Sequence, residues 1–382
     1  MEPTTVIRSE PRQRRMANFL AAGVILAFGL LAGSSILSHA KQQDFLNLYT
    51  GARLAREGQY RRLHDPALQL EREKELAGPR RTLVPFVRPH SYALALSPIA
   101  RFSLDVAFGI WIALQGAMLL TLFILVGRDI GSEGVLLAAL FAAPLLGLLH
   151  GQDSALIALL SFLGYRSLAK GQETRGGLWW SLLLVKFHLA IGPAVALLAA
   201  RRWRAMASFL CGCLLLGAVN LGLSGGEGAV LYARMLMNPS TEGLYPAPQK
   251  LACLQGLAAN VPAWSVWICS AAGLPVLVLV LLAFRSGVWQ KRCALAQAGV
   301  LYLTPHIYLY DWSILAPALF SSAQPSNPLR ERSLSLFLLS PLGAVAFLAS
   351  PYTQIVVHLA YLAWLATLAL ASRSGRHAEF TK

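Results

Sequence analysis

Long apolar runs recur along almost the whole chain, and they restrict what it can fold into. A helix that spans a bilayer needs about 20 mostly apolar residues, because backbone polar groups in hydrocarbon must be satisfied within the helix. Of the 382 residues, 56% are apolar and only 13% are charged, whereas a soluble domain is about 25% charged. The sequence therefore predicts an all-α integral membrane protein with about twelve transmembrane helices.

The first run, 17–40, is too long for the apolar core of a signal peptide, so it is expected to remain as a span. The later runs are approximately 84–102, 104–127, 134–149, 153–169, 177–200, 205–223, 261–284, 293–307, 311–323, 334–350 and 354–371. The runs on either side of residue 151 and of residue 309 are short. Short, interrupted helices of this kind commonly border a cavity within the membrane.

Basic residues predict the orientation. The net charge is +15, but Lys and Arg lie in short linkers beside apolar runs, so no nucleic-acid partner is expected. A basic N-terminus predicts a cytoplasmic start, and counting crossings puts 201–204, 285–292, 330–332 and 373–382 on that side. Ten Lys or Arg and six Asp or Glu in 41–88 run against this orientation, although the rule weakens for long translocated segments.

The same count divides the chain into five parts. They are a cytoplasmic basic N-terminus at 1–16, a seven-helix catalytic module at 17–223 that includes an outer loop at 41–88, a second outer loop at 224–260, a C-terminal helical module at 261–371, and a cytoplasmic tail at 372–382. The five cysteines have no metal-ligand spacing, and no metal or other cofactor is expected.

Asp44 is the first acidic residue after the first run. Apolar residues from Phe45 to Ala55 recur at helical spacing, so this segment is expected to lie along the membrane interface. At the lip of the membrane Asp44 could take a proton from a hydroxyl, or it could simply cap the helix. Further on, Asp65 followed by Pro66 predicts an ordinary helix start.

Five short motifs, in this order, resemble glycosyltransferase family 87, the polyprenol-phosphate-mannose-dependent mannosyltransferases with the C-type membrane glycosyltransferase fold. They are Asp44-Phe45-Leu46-Asn47-Leu48-Tyr49, Arg88-Pro89-His90-Ser91-Tyr92 with Ser97-Pro98, His150-Gly151-Gln152-Asp153, Leu184-Val185-Lys186-Phe187-His188, and Pro305-His306-Ile307-Tyr308-Leu309-Tyr310-Asp311. The resemblance covers about residues 40–315. His90 stands where the family usually has a second proline, so it is not carried over as a site residue.

The resemblance implies a fold with long outer loops after helices 1 and 7, where the crossing count also puts them. It implies an inverting transfer of a sugar, expected to be mannose, from polyprenyl phosphate to a hydroxyl of a lipid or glycan. The partners would be this donor, the acceptor and membrane lipids. The enzyme would be a multi-pass protein of the cell (inner) membrane with its active site outside the cytoplasm, and Asp44 matches the family's general base.

Other residues gain a role through the resemblance, each beside a plainer alternative. Lys186, within an apolar run, is expected to bind the donor phosphate or else to snorkel to the interface. Arg88 could clamp the phosphate or contact lipid headgroups, and His306 could serve the site or be a buried, satisfied histidine. Further candidates for the donor phosphate or sugar are Gln152, Asp153, Tyr310 and Asp311, with Gln255 on the acceptor side.

Two other classes of function remain open from the sequence. A secondary transporter would also use interrupted helices, but such proteins usually contain internal repeats, and the chain shows no self-similar halves. A non-catalytic protein that binds polyprenyl lipids could keep the fold without the chemistry. A transferase for a sugar other than mannose is equally compatible with the motifs.

Overall fold

The computed structural model describes residues 44–78, 83–237, 248–285 and 288–374, and within these ranges it contains helices and no strand. The first predicted span at 17–40, the N-terminus at 1–16 and most of the tail at 372–382 lie outside the described residues. The α-helices are α1 Asp44–Arg56, α2 Pro66–Ala77, α3 His90–Leu96, α4 Leu104–Ile130, α5 Ser132–Leu140, α6 Ala142–Leu149, α7 Ser154–Ala169, α8 Glu173–Ser181, α9 Phe187–Ala199, α10 Trp203–Met237, α11 Leu254–Asn260, α12 Ser265–Ala283, α13 Trp289–Leu303, α14 Ala316–Ser322, α15 Leu329–Leu339, α16 Pro341–Ala349 and α17 Pro351–Ser374.

Several helical stretches are long and apolar enough to cross a membrane. Among the described residues there are five, or seven if the bent pairs α5–α6 and α15–α16 each form one span. The exposed surface fits a lipid environment: α10 presents Leu214, which is 75% exposed, and α12 presents Val266, which is 74% exposed. The predicted all-helical membrane protein is confirmed in this coarse form, and the count of about twelve spans stays a prediction.

One candidate span, Glu173–Ala199, is a hairpin rather than a straight helix. A straight helix of 27 residues would separate its ends by about 40 Å. Instead Arg202, just after α9, contacts Glu173 at 2.9 Å, and a Cβ on Gly177 of α8 would lie 2.1 Å from the carbonyl oxygen of Ala205. The chain turns at Lys186, where φ is −121° and ψ is 83°. Lys186 therefore lies at the tip of this hairpin.

The prediction of a span at 84–102 is wrong. Residues 83–89 are non-helical, α3 has seven residues, and a five-residue 3-10 helix, Ser97–Arg101, follows. Prolines at 85, 89 and 98 remove backbone donors and disfavour a continuous helix, so apolar composition alone misidentified this segment. It packs on α1 instead, where the hydroxyl of Tyr49 donates to the carbonyl of Phe102 at 2.7 Å.

The basic linkers meet at one face of the helix bundle. Arg166 pairs with Asp129 at 2.5 Å, which joins the ends of α4 and α7. Arg202 lies over the ring of Trp289, with 4.7 Å between its guanidinium carbon and the ring centroid, and Lys291 hydrogen-bonds to the side chain of Asn327 at 3.3 Å. The segment 84–102 does not cross the membrane, and the 173–199 hairpin returns to the side from which it started. Two predicted crossings are therefore lost, and the basic linkers still lie on one face.

Helix α1 is buried rather than laid on the membrane surface. Phe45, Leu46 and Leu54 are fully buried, and a Cβ on Gly51 would lie 2.5 Å from the ring of Phe86. The interfacial helix predicted from its apolar spacing is thus covered by the segment that follows it. This packing fixes the helix that carries Asp44.

The helix start predicted at Asp65 is confirmed. Its carboxylate accepts from the backbone N–H of Ala67 at 3.0 Å and of Leu68 at 3.4 Å, and Pro66 is the first helical residue of α2. These contacts satisfy N–H groups that have no partner within the helix.

Helix α10 anchors the segment that contains α1, α2 and α3 to the membrane helices. The apolar pattern predicted an end at 223, but the helix kinks at Gly225, where φ is 63° and ψ is −178°, and continues to Met237. The side-chain oxygen of Asn220 accepts from the backbone N–H of Ser91 at 2.7 Å, and a Cβ on Gly228 would lie 3.1 Å from the Arg61 carbonyl oxygen. The residues predicted to form the first outer loop therefore pack against the C-terminal half of α10.

Candidate active site

A cavity of about 610 Å³ opens beside α1, at the face opposite the basic linkers. The lining comes from α1, the segment 84–88, the turn before α7, the tip of the 173–199 hairpin, the end of α10, Lys250, the segment 304–311 and the end of α16. Its polar and charged lining residues are Asp44, Asn47, Arg88, His150, Gln152, Lys186, His188, Lys250, Thr304, His306, Tyr308, Tyr310 and Asp311. The cavity thus collects residues from distant parts of the chain.

Asp44 presents the carboxylate at the lip of this cavity. It is the first residue of α1, its side chain is 22% exposed, and one carboxylate oxygen lies 4.0 Å from Nδ1 of His150. Burial raises the pKa of Asp44 above its ordinary value, while a hydrogen bond from Gln152 and the positive charges of His150, Lys186 and Arg88 oppose the rise. A carboxyl group with a raised pKa is a stronger base once ionised.

Arg88 is buried behind the lip and forms a bidentate ion pair with Asp153. Its Nε lies 2.9 Å from one carboxylate oxygen and a terminal nitrogen lies 3.1 Å from the other. The same nitrogen donates to the side-chain oxygen of Gln152 at 3.1 Å. Because the amide of Gln152 also donates to Asp44, it joins Arg88 to the lip carboxylate. Asp153 is fully buried and lies behind the cavity wall.

Lys186 bridges two carboxylates. Its Nζ lies 2.9 Å from an oxygen of Asp153 and 2.7 Å from an oxygen of Asp311, and the residue is 3% exposed. The second oxygen of Asp311 accepts from the backbone N–H of Tyr308 at 3.1 Å. The side chain therefore does not snorkel to the interface, because its charge is paired within the protein. Binding of the donor phosphate by Lys186 stays a prediction.

These four side chains form a network with no net charge: two cations, Arg88 and Lys186, against two carboxylates, Asp153 and Asp311. Buried charges are stabilised only when each is paired and hydrogen-bonded. Because desolvation offsets much of the attraction, such pairs fix the positions of their segments more than they add to the free energy of unfolding. The network ties the segment 83–88, the start of α7, the tip of the hairpin and the segment 304–311 together directly behind Asp44.

The segment 304–311 forms the wall facing Asp44. His306 has φ of 61°, a conformation that is uncommon for residues other than glycine and that often marks functional sites. The rings of Tyr308 and Tyr310 stack with centroids 5.2 Å apart, and the Tyr310 ring faces Nζ of Lys186 at 5.1 Å. Burial lowers the pKa of His306, which keeps its imidazole neutral.

Most of the residues predicted for the site meet at this cavity. Asp44, Arg88, Gln152, Lys186, His306, Tyr310 and Asp311 line it. Gln255 is exposed on α11 and is not among the lining residues. Sequence reasoning missed Asn47, His150, His188 and Lys250. Asn47, His150 and His188 had a usable signal, since each lies within three residues of a predicted site residue; Lys250 lies five residues before Gln255.

Comparison with known families matches glycosyltransferase family 87 over residues 86–305, which is more than half of the chain. A search of curated proteins and a search of solved structures each gave no match. The matched range includes Arg88, Gln152 and Lys186, and it agrees with the all-helical membrane architecture. The chain therefore belongs to glycosyltransferase family 87 and is a membrane glycosyltransferase.

Proposed function

We propose that the protein transfers a sugar, mannose in the first instance, from a polyprenyl phosphate to a hydroxyl of a lipid or glycan acceptor. The observation that carries this proposal is the asymmetric cavity. Its inner wall is charged, whereas its outer wall is apolar and exposed, with Ile191 49%, Leu348 61% and Met237 72% exposed. Such a wall suits a polyprenyl chain entering from the membrane while its phosphate and sugar reach Asp44.

Asp44 supplies the base in this mechanism. The acceptor oxygen attacks the anomeric carbon as its proton passes to the Asp44 carboxylate, and the bond between that carbon and the phosphate oxygen breaks. The phosphate leaves with the bonding electrons and gains one negative charge. A single displacement inverts the configuration at the anomeric carbon. The proton ends on Asp44 and then returns to solvent at the partly exposed lip.

The other site residues hold the donor. His306 and Tyr310 can donate hydrogen bonds to phosphate or sugar oxygens, and Asn47, one helical turn after Asp44, faces the same cavity. Arg88 and Lys186 contribute through the neutral network: they position Gln152, Asp153 and Asp311 rather than offer unpaired charge. Fixed dipoles and charges in a water-poor site stabilise developing charge without having to reorganise.

The proposed location is the extracytoplasmic side of the inner membrane. The cavity lies at the face opposite the basic linkers, and basic linkers mark the cytoplasmic side of membrane proteins. A lipid-linked donor suits that location, because its chain keeps it in the membrane.

A transfer assay tests the donor class. Purified protein in detergent is given radiolabelled polyprenyl-phosphate mannose, or radiolabelled GDP-mannose, together with a membrane lipid extract as acceptor. The proposal predicts labelled product from the lipid donor alone. Transfer from the nucleotide donor would contradict it, and lipid-donor transfer that retains the anomeric configuration would contradict the single displacement.

A further inference from the structure

Lys250 is the one cavity-lining lysine whose side chain is exposed in the described part of the chain. It ends the 3-10 helix Pro248–Lys250. The next three residues, Leu251, Ala252 and Cys253, are almost completely buried. The chain therefore runs along the protein surface at Lys250 and enters the core immediately after it.

The backbone around Lys250 is held from both sides by Gln354 of α17. The side-chain amide of Gln354 donates to the carbonyl of Gln249 at 2.5 Å and to the carbonyl of Leu251 at 3.4 Å. Further along, the N–H of Ala252 donates to the carbonyl of Ile307 at 2.6 Å, in the same segment as His306. These bonds fix where the Lys250 side chain begins, at the cavity mouth.

Arg88 and Lys186, the other two Lys or Arg side chains that line the cavity, are already paired with carboxylates, whereas Lys250 is available to pair with a phosphate. Arg88 is held by Asp153, and Lys186 by Asp153 and Asp311, all at hydrogen-bond distance. Across the residues that the structure describes, Lys250 forms no ion pair with a carboxylate. A phosphate that enters the cavity would meet buried cations already neutralised, and the Asp44 carboxylate would repel it.

We propose that Lys250 is the countercharge for the phosphate of the lipid donor and of the lipid phosphate product, and that Gln354 is its positioning residue. This inference rests on the proposed function and names a group that the sequence motifs did not. A lysine ammonium is a compact charge on a flexible stem, so it can follow the phosphate through the reaction.

The inference also predicts a preference between substrate and product. The donor phosphate is a diester with one negative charge. Once the bond to the sugar breaks it becomes a monoester, which carries about 1.5 to 2 negative charges at neutral pH. Lys250 should therefore contribute more to binding of the product than of the donor, and its loss should weaken product inhibition more than it raises the KM for the donor.

Binding of farnesyl phosphate, with farnesol as its uncharged counterpart, tests the inference without relying on activity. Lys250→Gln should weaken binding of farnesyl phosphate about three- to ten-fold and leave farnesol binding unchanged. Lys250→Arg should retain most of the affinity. Lys74→Gln, an exposed lysine on α2 that does not line the cavity, is the matched control.

Gln354→Leu tests the positioning role. It should weaken farnesyl phosphate binding in the same direction but less, again without affecting farnesol. A variant that merely disturbed the fold would weaken both ligands together, and that outcome would overturn the role of Gln354. Raising the KCl concentration should weaken farnesyl phosphate binding by the wild-type protein more than by Lys250→Gln.

The binding measurements distinguish failure of the Lys250 inference from failure of the proposed function. If the wild-type protein prefers farnesyl phosphate to farnesol and Lys250→Gln keeps that preference unchanged, the inference is wrong and the proposed function stands. If the wild-type protein shows no preference for the phosphate, both the lipid-phosphate donor and the role of Lys250 are overturned.

Discussion

At the scale of single residues, the cavity separates one accessible carboxylate from two buried ones. Asp153 and Asp311 are neutralised by Arg88 and Lys186 at 2.7 to 3.1 Å, whereas in the described part of the chain the basic side-chain atom that comes within 4.0 Å of Asp44 is Nδ1 of His150. Asp44 thus keeps part of its carboxylate open to the cavity. The sequence could identify Asp44 and Lys186 as candidates, but not the partners of Lys186, because Asp311 is 125 residues further along the chain.

The raised pKa of Asp44 predicts a pH dependence. A base must be ionised, so kcat/KM should fall as pH decreases through the pKa of Asp44 in the free enzyme. Because burial raises that pKa above the ordinary value of 3.8, the acid limb of the profile should lie above it. A pH–rate profile measures this directly. Full activity maintained down to the ordinary aspartate range would contradict it.

Lys186→Met should destabilise the protein. It leaves the buried carboxylates of Asp153 and Asp311 short of one cation, and breaking such a pair costs about 3–5 kcal/mol. Thermal unfolding in detergent measures the loss. The double variant Lys186→Met/Asp311→Asn removes one uncompensated charge as well, so it should recover part of the stability; a double variant less stable than Lys186→Met would argue against charge compensation.

At the scale of helices, the sequence predicted a helix start correctly where neighbouring residues alone determine it. The start of α2 follows from Asp65 and Pro66, two neighbouring residues. The segments 84–102 and 173–199 were each wrongly predicted to be a single transmembrane span. Apolar composition indicates that a segment is shielded from water, but it does not indicate whether lipid or protein covers it. The turn at Lys186 is stabilised by contacts with Asp153 and Asp311, which no local pattern reveals.

The packing of α1 predicts the effect of Gly51→Ala. The new Cβ would lie 2.5 Å from the Phe86 ring, so α1 or the segment 83–89 must shift, at a cost of about 1–3 kcal/mol. Both segments carry site residues, so transfer activity should fall together with stability. Gly109→Ala on α4, where a Cβ meets no atom within 4 Å, is the matched control and should lower neither, because alanine favours a helix more than glycine does.

His64, just before α2, is hydrogen-bonded to the backbone of Arg88, and its burial predicts a loss of stability in acid. Its Nε2–H donates to the Arg88 carbonyl at 2.9 Å, and burial lowers its pKa from 6.5 to about 3. The unfolded chain binds this proton first, so stability should fall as pH drops below 6.5, by about 2 kcal/mol at pH 5. His64→Phe should lose less stability than the wild-type protein between pH 7 and pH 5; an equal loss would rule out this source.

At the scale of the whole molecule, composition and basic linkers were enough to predict a helical membrane protein with its site at one face. They could not show that four distant segments meet at the network of Arg88, Asp153, Lys186 and Asp311, since such contacts depend on the packing of the entire bundle. The family motifs pointed to those residues without giving their geometry.

The proposed orientation can be tested by labelling. In intact cells, a membrane-impermeant maleimide should label Lys74→Cys on α2 and should not label Lys170→Cys, which lies at the basic face beside Asp129. The wild-type protein, which has five cysteines of its own, gives the background. Labelling of Lys170→Cys alone would place the cavity on the cytoplasmic side.

The most direct test of the central claim is the transfer rate of Asp44→Asn. The variant keeps the shape of the side chain and removes the base, so transfer from radiolabelled polyprenyl-phosphate mannose should fall by about 100-fold or more, with farnesyl phosphate binding intact. A rate within a few-fold of the wild-type rate would show that Asp44 is not the base.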